Sequence, residues 1–278
     1  MSHHSLETPA LPDLSTAEHY NHIGVGYSAV RRPDKRWADT IRAALGDART
    51  VVNLGAGSGA YEPTDMRVVA VEPSREMRSQ RGPDAAPCVV ARAESLPFDD
   101  QAFDAAMAVL TVHHWSDLEA GVSELLRVAE RFAIVTYDMD VQADYWFTRD
   151  YVPEIAQAER SRVPTLERLT SLLGPCDITE LPVWRDFTDG FMTAFWARPE
   201  AYLDAETRRA CSAFSLTDPE AVERGVSRLR EDLASGEWQR RYADLADRQA
   251  IDAGFRLITG TSPYARARLG GAGQGAAA

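Results

Sequence analysis

The sequence predicts an α/β protein built on a doubly wound sheet of seven strands, with helical insertions that form a lid or lobe. Short apolar runs rich in branched residues alternate with helical or turn segments, which is the pattern of a buried parallel sheet. The first five strands are predicted to begin near Val51, Val68, Cys88, Phe103 and Phe132. The last two are predicted over residues 177 to 184 and 254 to 259.

The first strand ends in a glycine turn, Gly55-Ala56-Gly57-Ser58-Gly59. Glycine at alternate positions lets a ligand approach bare backbone at the end of a buried strand. The second strand carries Glu72 at its carboxyl end. Ligands of open parallel sheets bind outside the carboxyl ends of the strands, so we expect the turn and Glu72 to face one crevice. This arrangement predicts a nucleoside site.

Gly55, Gly57 and Ala60 also satisfy the spacing of a dinucleotide-binding fingerprint. That motif needs a long helix directly after the turn, with its N-terminus at a pyrophosphate. Pro63 and the short gap before Val68 leave little room for such a helix. S-adenosylmethionine needs only close backbone approach and a carboxylate for its ribose hydroxyls, so it is favoured over NAD. An ordinary glycine turn without a ligand is the remaining alternative, because a lone glycine motif is weak.

Composition limits the classes of function. The chain has 278 residues, 45% of them apolar, enough for one large or two ordinary domains. Its formal net charge of -12 argues against nucleic-acid partners, which require clustered Lys and Arg. Cys88, Cys176 and Cys211 match neither a disulfide framework nor a zinc spacing, which favours a reducing cytoplasm. No segment reads as a signal peptide or a membrane span, so we expect neither export nor membrane anchoring.

The chain divides into a core and added segments. Residues 35 to 137 and 164 to 184 are predicted as the cofactor-binding core, and residues 251 to 269 as its last strand. The added segments are an N-terminal arm and cofactor lid (1 to 34), an active-site cover (138 to 163), a helical substrate lobe (185 to 250) and a disordered tail (270 to 278).

The segment before the first helix is the candidate lid. Tyr27, Arg31 and Arg32 precede Pro33-Asp34, where a helix is predicted to begin with Trp37 on its buried face. In the functional interpretation, Tyr27 shields the ligand and an arginine pairs with the ligand's carboxylate. A surface segment with two solvated arginines explains the same pattern.

These stretches together resemble the class I S-adenosylmethionine-dependent methyltransferases. The matching residues are 53 to 59, 71 to 74, 93 to 98 and 103 to 115. The resemblance covers about residues 20 to 137, and the order and spacing of the motifs are more specific than any one of them. It implies a Rossmann-like methyltransferase sheet and S-adenosylmethionine as cofactor, with S-adenosylhomocysteine as product. The region before Trp37 looks like the cofactor lid of such enzymes.

The resemblance also implies roles for residues. The glycine turn would hold the methionine part of the cofactor, Glu72 the ribose, and Ala93-Glu94 the adenine. Asn53 and Arg92 depart from the family, since many members carry an acid at each position, and we therefore assign the adenine to Glu94 and the backbone of Ala93. The predicted cofactor-binding residues are Tyr27, Arg32, Asn53, Gly55, Ala56, Gly57, Glu72, Pro73, Ala93, Glu94, Leu110 and Thr111.

Candidate catalytic groups follow the fourth and fifth strands. Methyl transfer requires alignment of the nucleophile and exclusion of water, and needs a general base only when the nucleophile keeps its proton. His113 is the first candidate, because an unperturbed imidazole pKa of about 6.5 suits proton removal. Tyr137 and Asp138 are weaker candidates. Alternatively, His113 and His114 only end the strand and pack on Trp115.

Candidate acceptor-binding residues lie beside His113 and in the predicted insertions. Side chains alternate along an extended segment, so His114 is expected to point away from His113. The residues assigned to the acceptor are His114, Asp140, Trp146, Tyr151 and Phe191. The aromatic content of the insertions favours a partly apolar small molecule. We expect no metal site, because the histidine pairs lack the spacing of known metal ligands.

The sequence therefore predicts a methyltransferase that acts on O, N or C of a small molecule, in specialised metabolism. One alternative is a protein of the same fold that binds S-adenosylmethionine or S-adenosylhomocysteine without transferring a methyl group, such as a cyclase or a binding module. A less favoured alternative is an NAD-dependent oxidoreductase. Neither the acceptor nor the choice between monomer and dimer follows from the sequence.

Overall fold

Seven strands form the main sheet of the computed structural model, which describes residues 32 to 265. Their bounds are Thr50–Leu54 (β1), Arg67–Val71 (β2), Cys88–Val89 (β3), Phe103–Val109 (β4), Ala129–Tyr137 (β5), Cys176–Glu180 (β6) and Phe255–Thr261 (β9). The order across the sheet is β3-β2-β1-β4-β5-β9-β6. Strands β1 to β5 pair in parallel, and β9 runs antiparallel to both of its neighbours. The predicted seven-stranded α/β sheet is confirmed, with one antiparallel strand.

The chain order along the sheet reverses between β1 and β4. β1 pairs with β2 on one side and with β4 on the other. The connections leaving these strands diverge, which opens a crevice outside their carboxyl ends. The segments after Leu54, Val71 and Val109 all begin at this edge. The crevice is where the sequence places the nucleoside site.

The structure has two strands, in two different sheets, where the sequence predicts a single strand over residues 177 to 184. β6 joins the main sheet, whereas Val183–Trp184 (β7) pairs with Ala250–Ile251 (β8) in a separate two-stranded sheet. Pro182 lies between β6 and β7, and proline cannot donate a backbone hydrogen bond to a ladder. Its carbonyl instead accepts a hydrogen bond from the indole of Trp37 at 2.9 Å.

Helices cover both faces of the sheet and build a lobe beside it. The helices that follow the arm or the core strands are Lys35–Ala44 (α1), Arg75–Ser79 (α2), Leu118–Val128 (α3) and Leu166–Leu173 (α7). The lobe contains Met139–Asp144 (α4), Trp146–Asp150 (α5), Glu154–Arg160 (α6), Ala205–Arg209 (α8), Ser212–Ser215 (α9), Pro219–Ser235 (α10) and Glu237–Arg241 (α11). Short 3-10 turns occupy Val112–His114, Met192–Phe195, Pro199–Leu203 and Ala243–Leu245.

Helix α1 begins where the sequence predicts. The Asp34 side chain accepts a hydrogen bond from the amide of Arg36 at 3.0 Å, which satisfies one of the unpaired donors of the first turn. Trp37 and Ile41 lie on one face and are buried. The predicted start and buried face of this helix are confirmed.

The sheet separates two hydrophobic cores. On one face α1 buries Trp37 against Val51 of β1. On the other face α3 and α7 bury Leu125 and Leu169 near Val52. Val51 and Val52 enter different cores because successive strand residues point to opposite faces. The first core continues into the lobe, so the lobe is anchored to the face of the sheet that carries α1.

An aromatic cluster forms the centre of the lobe. The Trp146 ring lies 5.6 Å from the Tyr202 ring, 5.4 Å from Trp238 and 5.3 Å from Tyr242, measured between centroids. Phe147 stacks on Tyr202 at 4.1 Å. These contacts tie α5, α11 and the turn at Pro199–Leu203 into one packed unit.

Two predicted features lie outside the described residues. Tyr27 and most of the predicted lid precede residue 32, and the predicted tail, residues 270 to 278, follows residue 265. Within residues 32 to 265, no helix combines the length and apolar character needed to cross a membrane.

Candidate functional site

A first cavity lies at the carboxyl ends of β1, β2 and β4. Its volume is about 1030 Å³, including its open mouth. All the predicted cofactor-binding residues that the structure describes, except Arg32, line this cavity. These residues are Asn53, Gly55, Ala56, Gly57, Glu72, Pro73, Ala93, Glu94, Leu110 and Thr111. The fold thus brings four segments of the chain together at one site. The role of each residue in that site stays a prediction.

The glycine turn presents backbone to the first cavity. Gly55 and Gly57 have φ values of 62° and 54°, a region that residues with a Cβ rarely adopt. The Ala56 amide between them donates to the Val71 carbonyl at 3.0 Å, which fastens the turn to β2. A Cβ on Gly55 would overlap the side chain of Thr111. The turn therefore depends on glycine for both its backbone conformation and its close approach to Thr111.

Glu72 is held in place by two backbone amides. Its Oε2 accepts a hydrogen bond from Gly57 at 2.8 Å and its Oε1 accepts one from Ser74 at 2.7 Å. Each carboxylate oxygen has a further lone pair, so the side chain can still accept hydrogen bonds from two ligand hydroxyls. Burial raises the pKa of the Glu72 carboxyl, and the hydrogen bonds from Ser74 and Gly57 oppose that rise. The geometry suits recognition of a ribose diol.

A buried ion pair lies behind the glycine turn and was not predicted. Arg81 and Glu62 are 6% and 9% exposed, and one guanidinium nitrogen donates to both carboxylate oxygens at 2.9 Å. Asn53 donates its side-chain amide to Glu62 at 3.0 Å. Arg81 also donates to the Gly57 carbonyl at 3.3 Å. Asn53, which stands where many family members have an acid, thus connects β1 to a nearby carboxylate.

The third side of the first cavity is formed by Ala93 and Glu94. One oxygen of Glu94 accepts hydrogen bonds from the Ser116 amide at 2.6 Å and from the Ser116 hydroxyl at 2.8 Å. Arg92 lines the cavity as well. Glu94 therefore joins two loops around this end of the cavity. The adenine contact predicted for Ala93 and Glu94 is compatible with that position and stays a prediction.

A second cavity lies between the sheet and the lobe. Its volume is about 740 Å³, including its mouth, and Leu110 lines both cavities. Leu110 has a φ of 53°, which is rare for a residue other than glycine. Strained backbone of this kind persists where the surrounding structure holds it, often at functional sites. The shared residue places the end of β4 at the junction of the two cavities.

Besides Leu110, three predicted residues line the second cavity. They are His113, Tyr137 and Phe191. The His113 and Tyr137 ring centroids are 5.1 Å apart, and Phe191 lies 4.5 Å from the ring of Phe255, which lines the same cavity. Imidazole and phenol groups therefore meet an aromatic wall at this place.

His114 lies on a different side from the one expected. Residues Val112–His114 form a 3-10 turn instead of the expected extended segment. The His113 and His114 ring centroids are 3.8 Å apart. His113 lines the second cavity, whereas His114 lines the first. The acceptor role assigned to His114 stays a prediction, and the structure places this residue in the first cavity.

Trp146 and Tyr151 do not line either cavity. They are 5% and 3% exposed and lie in the aromatic cluster of the lobe. The Tyr151 hydroxyl donates to Asp232 at 2.7 Å. Both residues pack in the core of the lobe, because a short helical insertion needs its aromatic side chains to form a core. The acceptor-binding role predicted for them gains no support from this position and stays a prediction.

Asp138 and Asp140 are also placed elsewhere. Asp138 is the N-cap of α4, where its side chain accepts a hydrogen bond from the Asp140 amide at 3.0 Å. The Asp140 side chain is 83% exposed and pairs with Arg160 at 2.8 Å. Neither residue lines a cavity. α4 starts directly after β5 and uses Asp138 as its cap. The catalytic role predicted for Asp138 and the acceptor role predicted for Asp140 gain no support from these positions and stay predictions.

Arg32 likewise lies away from the first cavity. It is exposed and lines neither cavity, and its carbonyl accepts a hydrogen bond from the Thr188 hydroxyl at 3.3 Å. The start of α1 three residues later directs this part of the chain toward Thr188. The pairing predicted between Arg32 and the cofactor stays a prediction, because the rest of the predicted lid lies outside the described residues.

Glu159 is a residue of the second cavity that sequence reasoning missed. It lies on α6, is 7% exposed, and has one carboxylate oxygen without a hydrogen-bond partner. Burial raises its pKa, while the charge of Arg162 and a hydrogen bond from Tyr137 oppose that rise. The sequence signal that could have indicated this position is the spacing of four residues between Ile155 and Glu159, which puts both side chains on one face of the helix. Within residues 32 to 265 no group of three His, Cys, Asp or Glu side chains is arranged to hold a metal ion.

Comparisons with known proteins give a consistent result. A family model described as a methyltransferase domain matches residues 52 to 134. A solved structure from Anabaena variabilis, of a protein assigned as a methyltransferase from an antibiotic biosynthesis pathway, is 32% identical with a TM-score of 0.77. That match covers 84% of this chain and 99% of the other.

Two further relatives are more distant or shorter matches. The uncharacterized methyltransferase YcgJ of Bacillus subtilis is 31% identical over 101 residues, which is 31% of this chain and 40% of YcgJ. The chain thus spans less than half the length of this curated relative. The structure of the cyclase SpnF has a TM-score of 0.52 at 15% identity, covering 92% of this chain and 99% of SpnF. SpnF shares the fold alone.

Proposed function

Because the chain belongs to the class I S-adenosylmethionine-dependent methyltransferases, we propose that it transfers a methyl group to O, N or C of a partly apolar small molecule. The observation that carries this proposal is the pair of adjoining cavities that meet at Leu110. The first has the glycine turn and the carboxylate that the cofactor needs. The second is lined largely by apolar and aromatic side chains, as small-molecule sites usually are.

The residues of the first cavity fit S-adenosylmethionine. Gly55 and Gly57 line the cavity with bare backbone, and Glu72 retains acceptors for two hydroxyl groups. When bound, the cofactor supplies a methyl group on a positively charged sulfur. We infer that Glu72 binds the ribose and that the turn holds the amino-acid part. Ala93 and Glu94 bound the adenine end.

The residues of the second cavity orient the acceptor and exclude water. Phe191 and Phe255 form an apolar wall, which suits a partly apolar molecule. His113 stands at the end of β4 beside Leu110, so its imidazole can accept a proton from an acceptor hydroxyl or amine. Tyr137 lies next to it and orients polar atoms of the acceptor. Alignment of the acceptor at Leu110 is the main contribution of the protein to the rate.

The test of the proposed function is a product assay. The protein is incubated with S-adenosylmethionine and a set of phenols, alcohols, amines and activated carbon acids, and products are analysed by mass spectrometry. We expect S-adenosylhomocysteine to form together with an acceptor that has gained the mass of one CH2 unit. An acceptor that rearranges without gaining this mass would contradict the proposal and support a cyclase, the activity of SpnF.

His113→Asn is expected to slow methyl transfer by about a hundredfold for an acceptor whose nucleophile carries a proton. Asparagine keeps a polar side chain but cannot take up the proton. The measurement is the single-turnover rate with the acceptor found in the product assay. S-adenosylhomocysteine affinity should stay unchanged, because His113 does not line the first cavity. A wild-type rate in this variant would show that His113 is not the base.

Gly55→Ala is expected to weaken S-adenosylhomocysteine binding at least about tenfold, because the new methyl group would force Thr111 and the turn apart. Isothermal titration calorimetry measures the effect. Gly82→Ala is the matched control, since a Cβ there would meet no atom within 4 Å. Equal affinities of the two variants would contradict the structural role of Gly55.

The remaining sequence-based assignments are part of the same proposal. We propose a cytoplasmic location, which is supported by the three free cysteines. We also propose that residues 1 to 34 cover the cofactor and that residues 185 to 250 supply the substrate lobe. The placement of Phe191 and Cys211 in the second cavity supports the latter.

A further inference from the structure

The wall of the second cavity contains a buried carboxylate that is only partly paired. Glu159 is 7% exposed, and its Oε2 atom is buried without a hydrogen-bond partner. Tyr137 donates a hydrogen bond to the same carboxyl group. A buried carboxylate oxygen without a partner is unfavourable unless a ligand satisfies it. Its position in the cavity wall makes the acceptor the candidate partner.

The surroundings of Glu159 specify the charge of that partner. Among the described residues that line the second cavity, Glu159 is the only Asp, Glu, Lys or Arg. Arg162 acts on it by charge from outside the cavity lining, without a hydrogen bond between their side chains. Thr148 and Thr193 also line the cavity, and their buried hydroxyl oxygens have no hydrogen-bond partner. Besides Tyr137 and Ser212, the wall thus offers one acidic group and two hydroxyl groups without a hydrogen-bond partner.

We propose that the methyl acceptor carries an ammonium group that binds Glu159, with Thr148 and Thr193 as further hydrogen-bond acceptors. This inference rests on the proposed function, because it takes the second cavity as the acceptor site. An ammonium group donates a hydrogen bond to the unpaired oxygen and also neutralises the buried negative charge. A neutral hydroxyl group only donates the hydrogen bond. A carboxylate or phosphate at this place would be repelled by Glu159. Burial raises the pKa of Glu159, and a bound cation would return the group to its charged form.

The same chemistry separates the anchor from the reacting atom. A protonated amine has no lone pair, so it cannot attack the methyl group while it is paired with Glu159. The ammonium group therefore anchors the acceptor at the lobe, and another atom, O, N or C, receives the methyl group near Leu110. The substrate class is an amine that bears a second nucleophilic group on an apolar framework.

A matched series of phenols tests the inference by binding. Tyramine, tyrosol and para-hydroxyphenylacetate share a phenol and differ in carrying an ammonium, a hydroxyl and a carboxylate group. Their affinities are measured by calorimetry on the protein saturated with S-adenosylhomocysteine. We expect tyramine to bind at least about tenfold more tightly than tyrosol, with para-hydroxyphenylacetate weakest. Equal affinities, or no detectable binding of tyramine, would overturn the inference.

Two variants assign the preference to Glu159. Glu159→Gln keeps the size and one acceptor but removes the charge, and we expect it to reduce the preference for tyramine over tyrosol to less than about twofold. Glu154→Gln is the control on the same helix, because Glu154 is 38% exposed and lines neither cavity. It should keep the wild-type preference. A preference that survives in Glu159→Gln would overturn the assignment.

The outcomes separate this inference from the proposed function. A charge preference that depends on Glu159, in a protein that methylates no acceptor, would support the ammonium site and contradict the methyltransferase proposal. Methylation of neutral or anionic acceptors, with no preference for tyramine, would support the methyltransferase and overturn the ammonium site. In both cases Glu159→Gln should bind S-adenosylhomocysteine like the wild type, which verifies that the variant is folded.

Discussion

Glu72→Ala is expected to weaken the binding of S-adenosylhomocysteine by roughly 10² to 10⁴-fold. Two hydrogen bonds to a charged carboxylate contribute about 1.5 to 3 kcal/mol each, and both ribose hydroxyls would lose their acceptor. The variant also removes the acceptor for the Gly57 and Ser74 amides, which hold the turn and the start of α2 beside the cavity. Isothermal titration calorimetry of wild type and variant measures the change.

The control for this prediction is Glu76→Ala. Glu76 lies four residues further along the chain, at the start of α2, and lines neither cavity. We expect its affinity to match the wild type, and thermal unfolding should show that both variants are folded. Wild-type affinity in Glu72→Ala would contradict the assignment of the ribose to this carboxylate.

The pKa of Glu72 gives the same prediction a pH dependence. Burial raises the pKa, so the carboxyl becomes protonated at a higher pH than an exposed glutamate. The protonated form offers fewer acceptors, and affinity should therefore fall as the pH is lowered through the raised pKa. Glu72→Gln, which has no charge to lose, should bind weakly and lack this part of the pH dependence. The readout is the dissociation constant of S-adenosylhomocysteine across a pH series.

Arg81→Met is expected to lower the free energy of unfolding by about 3 to 5 kcal/mol. The substitution leaves Glu62 buried, charged and without its partner, which is the costly way to break an internal ion pair. The double variant Arg81→Met/Glu62→Gln should regain most of this loss, because glutamine is neutral and can still accept the hydrogen bond from Asn53. Chemical denaturation followed by circular dichroism measures all three proteins.

A surface ion pair provides the comparison for Arg81. Arg42 pairs with Asp65, and their side chains are 35% and 59% exposed. Arg42→Met should cost at most about 1 kcal/mol, because water screens and solvates both groups. If Arg81→Met is no more destabilising than Arg42→Met, the pair behind the glycine turn does not have the structural role assigned to it here.

The parts of the site that the sequence predicts are those that depend on local pattern and on sheet topology. Gly55, Gly57 and Glu72 directly follow two buried strands, and parallel strands bring their carboxyl ends to one edge. Ala93 and Leu110 follow from the same rule. No long-range contact had to be known, because the order of the strands determines which loops meet.

The site residues that the sequence did not predict, or placed elsewhere, depend on which face of a short helix lines the cavity. Trp146 and Glu159 lie in the same predicted cover segment, yet the aromatic residue packs inside the lobe and the acid lines the cavity. Side-chain chemistry alone suggests that the aromatic residue should contact an apolar acceptor. Helix packing decides otherwise, because a small lobe needs its largest side chains for its own core.

Local backbone geometry accounts for the other difference. The turn after β4 is a 3-10 helix, in which the His113 and His114 rings lie close together although they line different cavities. The Arg81–Glu62 pair spans 19 residues and joins two loops, which no short motif encodes. Such contacts depend on the assembled fold.

The most direct test of the central claim is a crystal structure of the protein with S-adenosylhomocysteine. We predict that the ligand occupies the first cavity, with both ribose hydroxyls bonded to Glu72, backbone contacts at Gly55 to Gly57, and the sulfur at Leu110 facing the second cavity. A ligand bound elsewhere, or one whose ribose does not contact Glu72, would contradict the account.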